Sequence, residues 1–379
     1  MINQAVKTIR RAGIPPERLR VAVLSDAVRG RNGVGTYYDD LVEGLRPRVG
    51  EVKLLSPPPR GERGDTAGAH LPMPGDPTQS LFLPSPRGLW RSVVGIDPHV
   101  IVAASPWIYG WMGLPLARET GAGLCVGFHT QFGRIAELYW STGLNRALSP
   151  FLEWWDGLFL RCGDAVLVLN EELGEVAEAA GANRVELMGT PAPNAFLTTP
   201  VPDPPSEIRT ALFLGRLAPE KGIQGILDAA TVHPTIRFRI VGDGPLRSEV
   251  DDAAARQANL EAVPWVDRER VLEFIDGTDL VLLPSRFETF GSAAYEGLLR
   301  RRAVLVSEGC GLIRWPRLAE GVVTMGPDED VSQAIARLVQ MPRESLQRGI
   351  RKGYEGARAM SGETLDRWLS ILIDMARGR

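Results

Sequence analysis

Residues 282–298 read LLPSRFETFGSAAYEGL. The two leucines close an apolar run from Leu280 to Leu283, and Pro284 stops it. A short apolar run bounded by a turn residue reads as a buried strand. A helix is expected to begin near Gly291. Strand, loop and helix in that order form one half of a parallel-sheet unit. The loop raises a chemical question, because Glu288 stands just before the helix and Glu296 one turn inside it.

The same alternation continues in both directions, so the class is α/β. Expected strands in the first half are Val21–Ser25, Val52–Leu55, Val100–Ala104, Leu124–Phe128, Ala165–Leu169 and Val185–Met188. In the second half they are Ala211–Gly215, Phe238–Val241, Leu260–Val263, Leu280–Leu283, Val304–Ser307 and Val322–Met325. A chain of 379 residues exceeds what one core usually serves, which predicts two doubly wound, Rossmann-like domains. Between the two sets lies GTPAPNAFLTTPVPDPPSE, residues 189–207, whose prolines continue neither sheet. The expected division is residues 1–190, a linker over 191–208, a second domain over 209–358, and a final helix over 359–379. Ser56–Gly88, rich in proline and glycine, is expected to be a long loop, functional or mobile.

A net charge of −3 leaves no overall electrostatic footprint for nucleic acid, so no nucleic-acid partner is expected. Cys125, Cys162 and Cys310 are widely separated and fit neither a disulfide framework nor a zinc site, which points to a reducing, cytoplasmic compartment. Nothing approaches the roughly 20 apolar residues of a membrane span. The N-terminal MINQAVKTIRRAG sets Ile2, Val6 and Ile9 on one face and basic residues elsewhere, a pattern that suits packing on its own domain or peripheral membrane contact. SPWIYGWMG, residues 105–113, fits a buried helix start and equally an aromatic surface for an acceptor or lipid.

Doubly wound domains bind ligands at the carboxyl ends of their strands. Gly33 and Gly35 follow the first strand and His129 follows Leu124–Phe128. Arg216, Lys221 and Gly222 follow Ala211–Gly215, GDGPL follows Phe238–Val241, and Glu288 follows Leu280–Leu283. A helix N-terminus offers unpaired N–H groups and about half a positive charge, which suits phosphate. Gly33-Val34-Gly35 fits that use, and also a plain turn before a helix. Arg216 and Lys221 could bridge a diphosphate, or Lys221 could pair with Glu220 at the surface. With N–H groups at Phe290, Gly291 and Ser292 turned to a ligand, Glu288 and Glu296 would flank it and accept from hydroxyls. A nucleotide sugar has hydroxyls at both ends and a diphosphate between them. The DED at 328–330 is read as a helix cap, and no metal is assigned.

LFLGRLAPEKGI, VGDGPLRSEV and LLPSRFETFGSAAYEGL resemble, in order and spacing, the C-terminal domain of retaining glycosyltransferases of the GT-B fold, family four. NGVGTYYDDL and GFHTQF match the first domain more loosely. The resemblance implies two Rossmann-like domains facing across a cleft, the first on the acceptor side, with the final helix packed back on it. It implies that Arg216 and Lys221 hold the diphosphate, that Glu288 meets the donor sugar, and that Glu296 meets the ribose. Gly33, Gly35 and the backbone of Phe290, Gly291 and Ser292 would touch phosphate or sugar, His129 would lie beside the sugar, and Val263 and Trp265 would form the base-binding edge. The implied reaction moves a hexosyl group from a nucleotide diphosphate sugar to a hydroxyl acceptor, a glycolipid, glycan or small molecule, with retention and no cofactor. Family frequency favours UDP-sugar over GDP-sugar. Two other readings keep the fold: a nucleotide-sugar isomerase or hydrolase, and a non-catalytic sugar-nucleotide-binding protein. One departure is GLLRRRAVLV, residues 297–306, where the family usually has small residues, a glycine and a proline.

Overall fold

The structure, a computed structural model, describes residues 14–29, 33–58, 66, 68–73, 76–129 and 142–377. The chain forms two compact units, Met1–Pro191 with Gly362–Arg379, and Ala192–Ser361. The N-terminal MINQAVKTIRRAG, and Thr130 to Phe132 of GFHTQF, lie outside the described residues.

The first unit contains β1 (Arg20–Leu24), α1 (Gly33–Leu45), β2 (Glu51–Leu55), β3 (His70–Met73), β4 (Asp76–Phe82), α2 (Pro86–Ile96), β5 (Val100–Ala103), α3 (Ile108–Thr120), β6 (Gly123–Phe128), α4 (Thr142–Cys162), β7 (Ala165–Val168), α5 (Glu171–Ala179) and β8 (Val185–Leu187). Six of these strands make one parallel sheet in the order β2-β1-β5-β6-β7-β8. The second unit contains α6 (Asn194–Thr198), β9 (Thr210–Leu214), α7 (Ile223–Val232), β10 (Arg237–Val241), α8 (Arg247–Arg256), β11 (Leu260–Val263), α9 (Arg268–Asp276), β12 (Leu280–Leu283), α10 (Ser292–Leu299), β13 (Ala303–Val306), α11 (Pro316–Ala319), β14 (Val323–Thr324), α12 (Val331–Val339) and the start of α13 (Arg343–Arg377). Its parallel sheet runs β11-β10-β9-β12-β13-β14.

All twelve expected strands form, each within one residue of its expected ends. The reason is burial on both faces: every residue of β5, β7, β12 and β13 is buried, so these strands are written as unbroken apolar runs. In the first unit Leu24, Ile101, Val126 and Val166 from the sheet pack with Leu89, Val93, Leu116 and Phe159 from the helices. In the second unit the chain moves outward from β9 to β10 and β11, then returns to β12 on the other side of β9. That reversal opens a crevice at the carboxyl ends of β9 and β12.

Ser56–Gly88, expected to be a long loop, contains regular structure. It holds the antiparallel hairpin β3-β4 and the start of α2, where Ser85 caps the helix and Pro86 occupies its first turn. Prolines at 72 and 77 hid the strands, since proline usually argues against a central strand; in a two-stranded hairpin there is no central strand. Asp330 caps α12 with a reciprocal Gln333 bond, as read for DED.

The departure after Glu296 has a structural account. Arg300, a fully buried side chain, makes a bidentate pair with Asp276 at 2.7 Å and 2.7 Å. It also donates to the carbonyls of Phe196, Thr199 and Pro200 at 3.1, 3.0 and 2.6 Å. Arg302 donates to the carbonyls of Thr278 and Asp203 at 3.1 and 2.5 Å. The two arginines thus tie residues 196–203 to the rest of the second unit. Between them Arg301 sits at φ 55°, a left-handed position that suits glycine, with its guanidinium 4.5 Å above the Tyr354 ring. Arg300→Met is expected to cost about 3 kcal/mol, because it strands a partly buried carboxylate and three carbonyls. Urea unfolding followed in the second unit checks this, and a loss under about 1 kcal/mol would show that the clamp is dispensable.

From Gly362 onward α13 belongs to the first unit. Leu365, Trp368, Ile371, Leu372 and Met375 are buried, and Trp368 Nε1 donates to Tyr37 Oη at 2.9 Å. No described helix is long and apolar enough to cross a membrane.

Candidate nucleotide-diphosphate site

In the second unit, the turn after β9 carries Arg216 and a short helical turn, Pro219–Lys221. It ends at Gly222, φ 71°, where a Cβ would lie 2.3 Å from the Pro284 carbonyl oxygen. Glycine therefore lets this turn press against the loop after β12. Arg286 N–H donates to the Glu220 carbonyl at 2.7 Å and locks the two loops together. Across them Lys221 Nζ reaches Glu288 Oε2 at 2.5 Å, both side chains about one-fifth exposed. Arg216 pairs with Glu220. Of the two sequence readings of Lys221, the surface pair with Glu220 is replaced: Glu220 takes the arginine and the lysine crosses to Glu288.

The loop that holds Glu288 is fixed through its backbone. Glu288 N–H donates to Gly309 O at 3.0 Å, and Gly311 N–H donates to Glu288 O at 2.8 Å. Gly291, φ 106°, precedes α10, and a Cβ there would meet Cys310 Sγ at 2.7 Å. Burial pushes the Cys310 thiol up to about 12, so it stays a neutral donor, to the Phe290 carbonyl at 3.3 Å. Among the described residues the N–H groups of Phe290, Gly291 and Ser292 have no partner. Beside Lys221, they present a helix N-terminus to the crevice, the arrangement that attracts phosphate.

Glu296, 4% exposed, sits one turn inside α10. Arg268 Nη1 donates to its Oε1 at 2.6 Å. Arg268 is the first residue of α9, whose cap is Asp267. It went unnoticed in the sequence, since nothing in VDRERVLEF marks one arginine among several charges. Val263 ends β11 half-buried, and Trp265 beyond it is 39% exposed. After β10, a Cβ on Gly242, φ 149°, would lie 1.9 Å from Gly215 O, and Leu217 N–H donates to Asp243 O at 2.8 Å. The GDGPL turn thus packs on the Arg216 turn and holds it from behind.

In the first unit, Gly33 opens α1 in open space. Gly35 is buried, and a Cβ there would meet Val28 O at 2.4 Å, so close packing requires it. His129 directly follows β6, 6% exposed, with Nε2 2.8 Å from Tyr38 Oη. Tyr37, Tyr38 and Trp368 surround it or one another at 4.9 to 6.5 Å between ring centroids. His129 Nδ1 has no hydrogen-bond partner among the described residues. Tyr38 lies on the buried face of α1, and its hydroxyl is a polar member of this group that the sequence did not mark. Asp26, beyond β1, was also missed. It accepts from Tyr109 N–H at 2.7 Å and Ser105 Oγ at 2.9 Å, and burial raises it to about 6 despite these donors.

Burial lowers His129 to about 4, so the imidazole is neutral at physiological pH. Its free counterpart titrates near 6.5, so as pH falls from about 6.5 to about 4 the unfolded chain takes a proton that the folded chain refuses. Stability is lost across that window. Asp26 acts oppositely, its stabilisation being lost as pH rises from 3.8 toward about 6. A comparison of wild type with His129→Asn cancels the Asp26 share. The wild type should lose about 1.4 kcal/mol more per pH unit in that window. Equal slopes in thermal or urea unfolding would refute a buried neutral His129.

Residues 32–191 match the family model described as glycosyl transferase 4-like domain, and residues 200–356 match glycosyl transferases group 1. A GDP-mannose-dependent alpha-mannosyltransferase of Mycobacterium tuberculosis is 27% identical over 77% of this chain and 80% of that protein. Among solved structures, sucrose-phosphate synthase from Thermosynechococcus elongatus superposes with a TM-score of 0.71 at 19% identity, over 94% of this chain and 98% of the other. Anabaena HepE in complex with UDP-glucose superposes with a TM-score of 0.63 at 14% identity, over 94% and 100%.

Proposed function

We propose, for a chain that belongs to the GT-B glycosyltransferases of family four, that it transfers a hexose from a nucleotide diphosphate sugar to a hydroxyl acceptor with retention and without a metal ion. The observation that carries this is the grouping, at the β9/β12 crevice of the second unit, of Arg216, Lys221, three unpartnered N–H groups and two carboxylates.

A guanidinium carries five N–H donors and an ammonium three, so Arg216 and Lys221 can each bridge from a glutamate to a phosphate oxygen. Together with the α10 N-terminus they neutralise the departing diphosphate, the task that a divalent cation performs elsewhere. Glu288 accepts from a sugar hydroxyl and fixes the ring over the diphosphate. As the bond between the anomeric carbon and the phosphate oxygen breaks, the phosphate oxygen takes the proton of the acceptor hydroxyl, and the acceptor oxygen bonds to the anomeric carbon from the same face. No side-chain base is needed. Glu296 accepts from the ribose, and Val263 and Trp265 border the base. For Gly33, Gly35 and His129 the resemblance supplies the role beside phosphate and sugar, and a neutral imidazole suits a hydrogen bond to a hydroxyl.

A uridine donor is the first choice, supported by the UDP-glucose complex of the structural neighbour; the GDP-mannose-dependent relative makes guanosine the second. The acceptor is a glycolipid, glycan or small molecule. Three free cysteines support a cytoplasmic setting. The test is incubation with UDP- and GDP-sugars and an acceptor panel, with and without EDTA, followed by proton NMR of the product. Transfer that survives EDTA and keeps the donor's anomeric configuration is expected. An inverted product, or activity lost in EDTA and restored by manganese, contradicts the mechanism; donor consumed without acceptor points to a hydrolase.

A further inference from the structure

We infer that Arg268 is a positioning residue that aims Glu296 at the nucleotide's ribose and so makes the site selective for ribonucleotides, an inference that rests on the donor-site reading above. A carboxylate only 5% exposed needs a charged partner, and Arg268 is the one it has among the described residues, at 2.6 Å. The bond is to Oε1 alone. Oε2 makes no hydrogen bond to the described residues, so its lone pairs are left for hydroxyl donors. A buried acceptor with one oxygen tied and the other open is aimed, because rotation would break the charge-assisted bond.

Arg268 is itself held. It is anchored at the start of α9 by the Asp267 cap, and its guanidinium lies 5.7 Å from the ring centroid of Phe196. Phe196 is buried, and its carbonyl is gripped by Arg300. The chain is therefore continuous from the Arg300 clamp through Phe196 and Arg268 to the open oxygen of Glu296. A lysine at 268 would keep the charge but lose the planar fork that fixes direction.

Calorimetric titration of wild type, Arg268→Ala, Arg268→Lys, Glu296→Gln and the Arg268→Ala/Glu296→Gln double variant with UDP, 2′-deoxy-UDP and 3′-deoxy-UDP tests this, with GDP and its deoxy forms in parallel. Arg268→Ala should weaken the ribonucleotide about tenfold and the deoxy analogues much less, so that selectivity collapses. Arg268→Lys should recover part of the affinity. In the Glu296→Gln background, Arg268→Ala should cause no further loss. Equal weakening of ribo and deoxy forms, or losses that multiply in the double variant, would overturn the inference while leaving the donor site intact. If wild type bound neither nucleotide, or Glu296→Gln changed nothing, the donor-site reading would fall and this inference with it.

Discussion

Lys221→Ala is expected to lower kcat/KM for the donor by about a hundred- to a thousandfold, the range seen when one preorganised donor to a developing anion is removed. Two effects act together. The diphosphate loses a cation, and Glu288 loses the partner that holds it at 2.5 Å. An unpaired carboxylate then faces an incoming dianion, which raises the loss above that of a single hydrogen bond. Lys221→Ala/Glu288→Gln separates the two: removal of the stranded charge should restore part of the affinity for nucleotide diphosphate without restoring turnover. Both side chains are about one-fifth exposed, so the fold should survive either change. Steady-state kinetics with thermal melts as control is the measurement. Undiminished kcat/KM in Lys221→Ala removes the lysine from the site.

The second large effect separates the two glutamates. Glu288 precedes α10 and Glu296 lies inside it, so a nucleotide sugar laid along the crevice meets Glu288 with its sugar and Glu296 with its ribose. Glu288→Gln keeps the shape and removes the charge. It should reduce turnover a hundredfold or more and leave binding of the sugarless nucleotide nearly unchanged. Glu296→Gln should weaken donor and free nucleotide alike, by the roughly 1.5 to 3 kcal/mol of a hydrogen bond to a charged group. Titrations with donor and with free nucleotide distinguish them. Weakened free nucleotide in Glu288→Gln, with Glu296→Gln unaffected, would mean that the ligand lies the other way round.

The parallel strands were legible because each buried strand is an apolar run with a turn residue after it, as in Leu280–Leu283 before Pro284. The crevice followed from those turns, since Arg216, Lys221 and Glu288 all lie in loops that leave the carboxyl end of a strand. Partnerships were not legible. Whether Lys221 pairs with Glu220 or Glu288 depends on how closely two loops approach, and that is set by Gly222 against the Pro284 carbonyl, a contact 62 positions apart in sequence. Arg268 and Arg300 were invisible for the same reason, their partners being brought in by the sheet order and by the chain entering at Phe196. The β3-β4 hairpin was hidden by its prolines. His129 was found by its place after β6, but its neutrality comes from burial beside Tyr37 and Tyr38, which pack in turn on Trp368 from the far end of the chain.

The central claim is that the second unit binds a nucleotide diphosphate at the carboxyl ends of β9 and β12. A crystal structure with UDP or GDP tests it most directly. The account predicts phosphate oxygens within hydrogen-bond distance of Lys221 Nζ, the Arg216 guanidinium and the N–H groups of Phe290 to Ser292, with a ribose hydroxyl on Glu296 Oε2. A nucleotide whose phosphates touch neither cation, or one seated away from the start of α10, would contradict it.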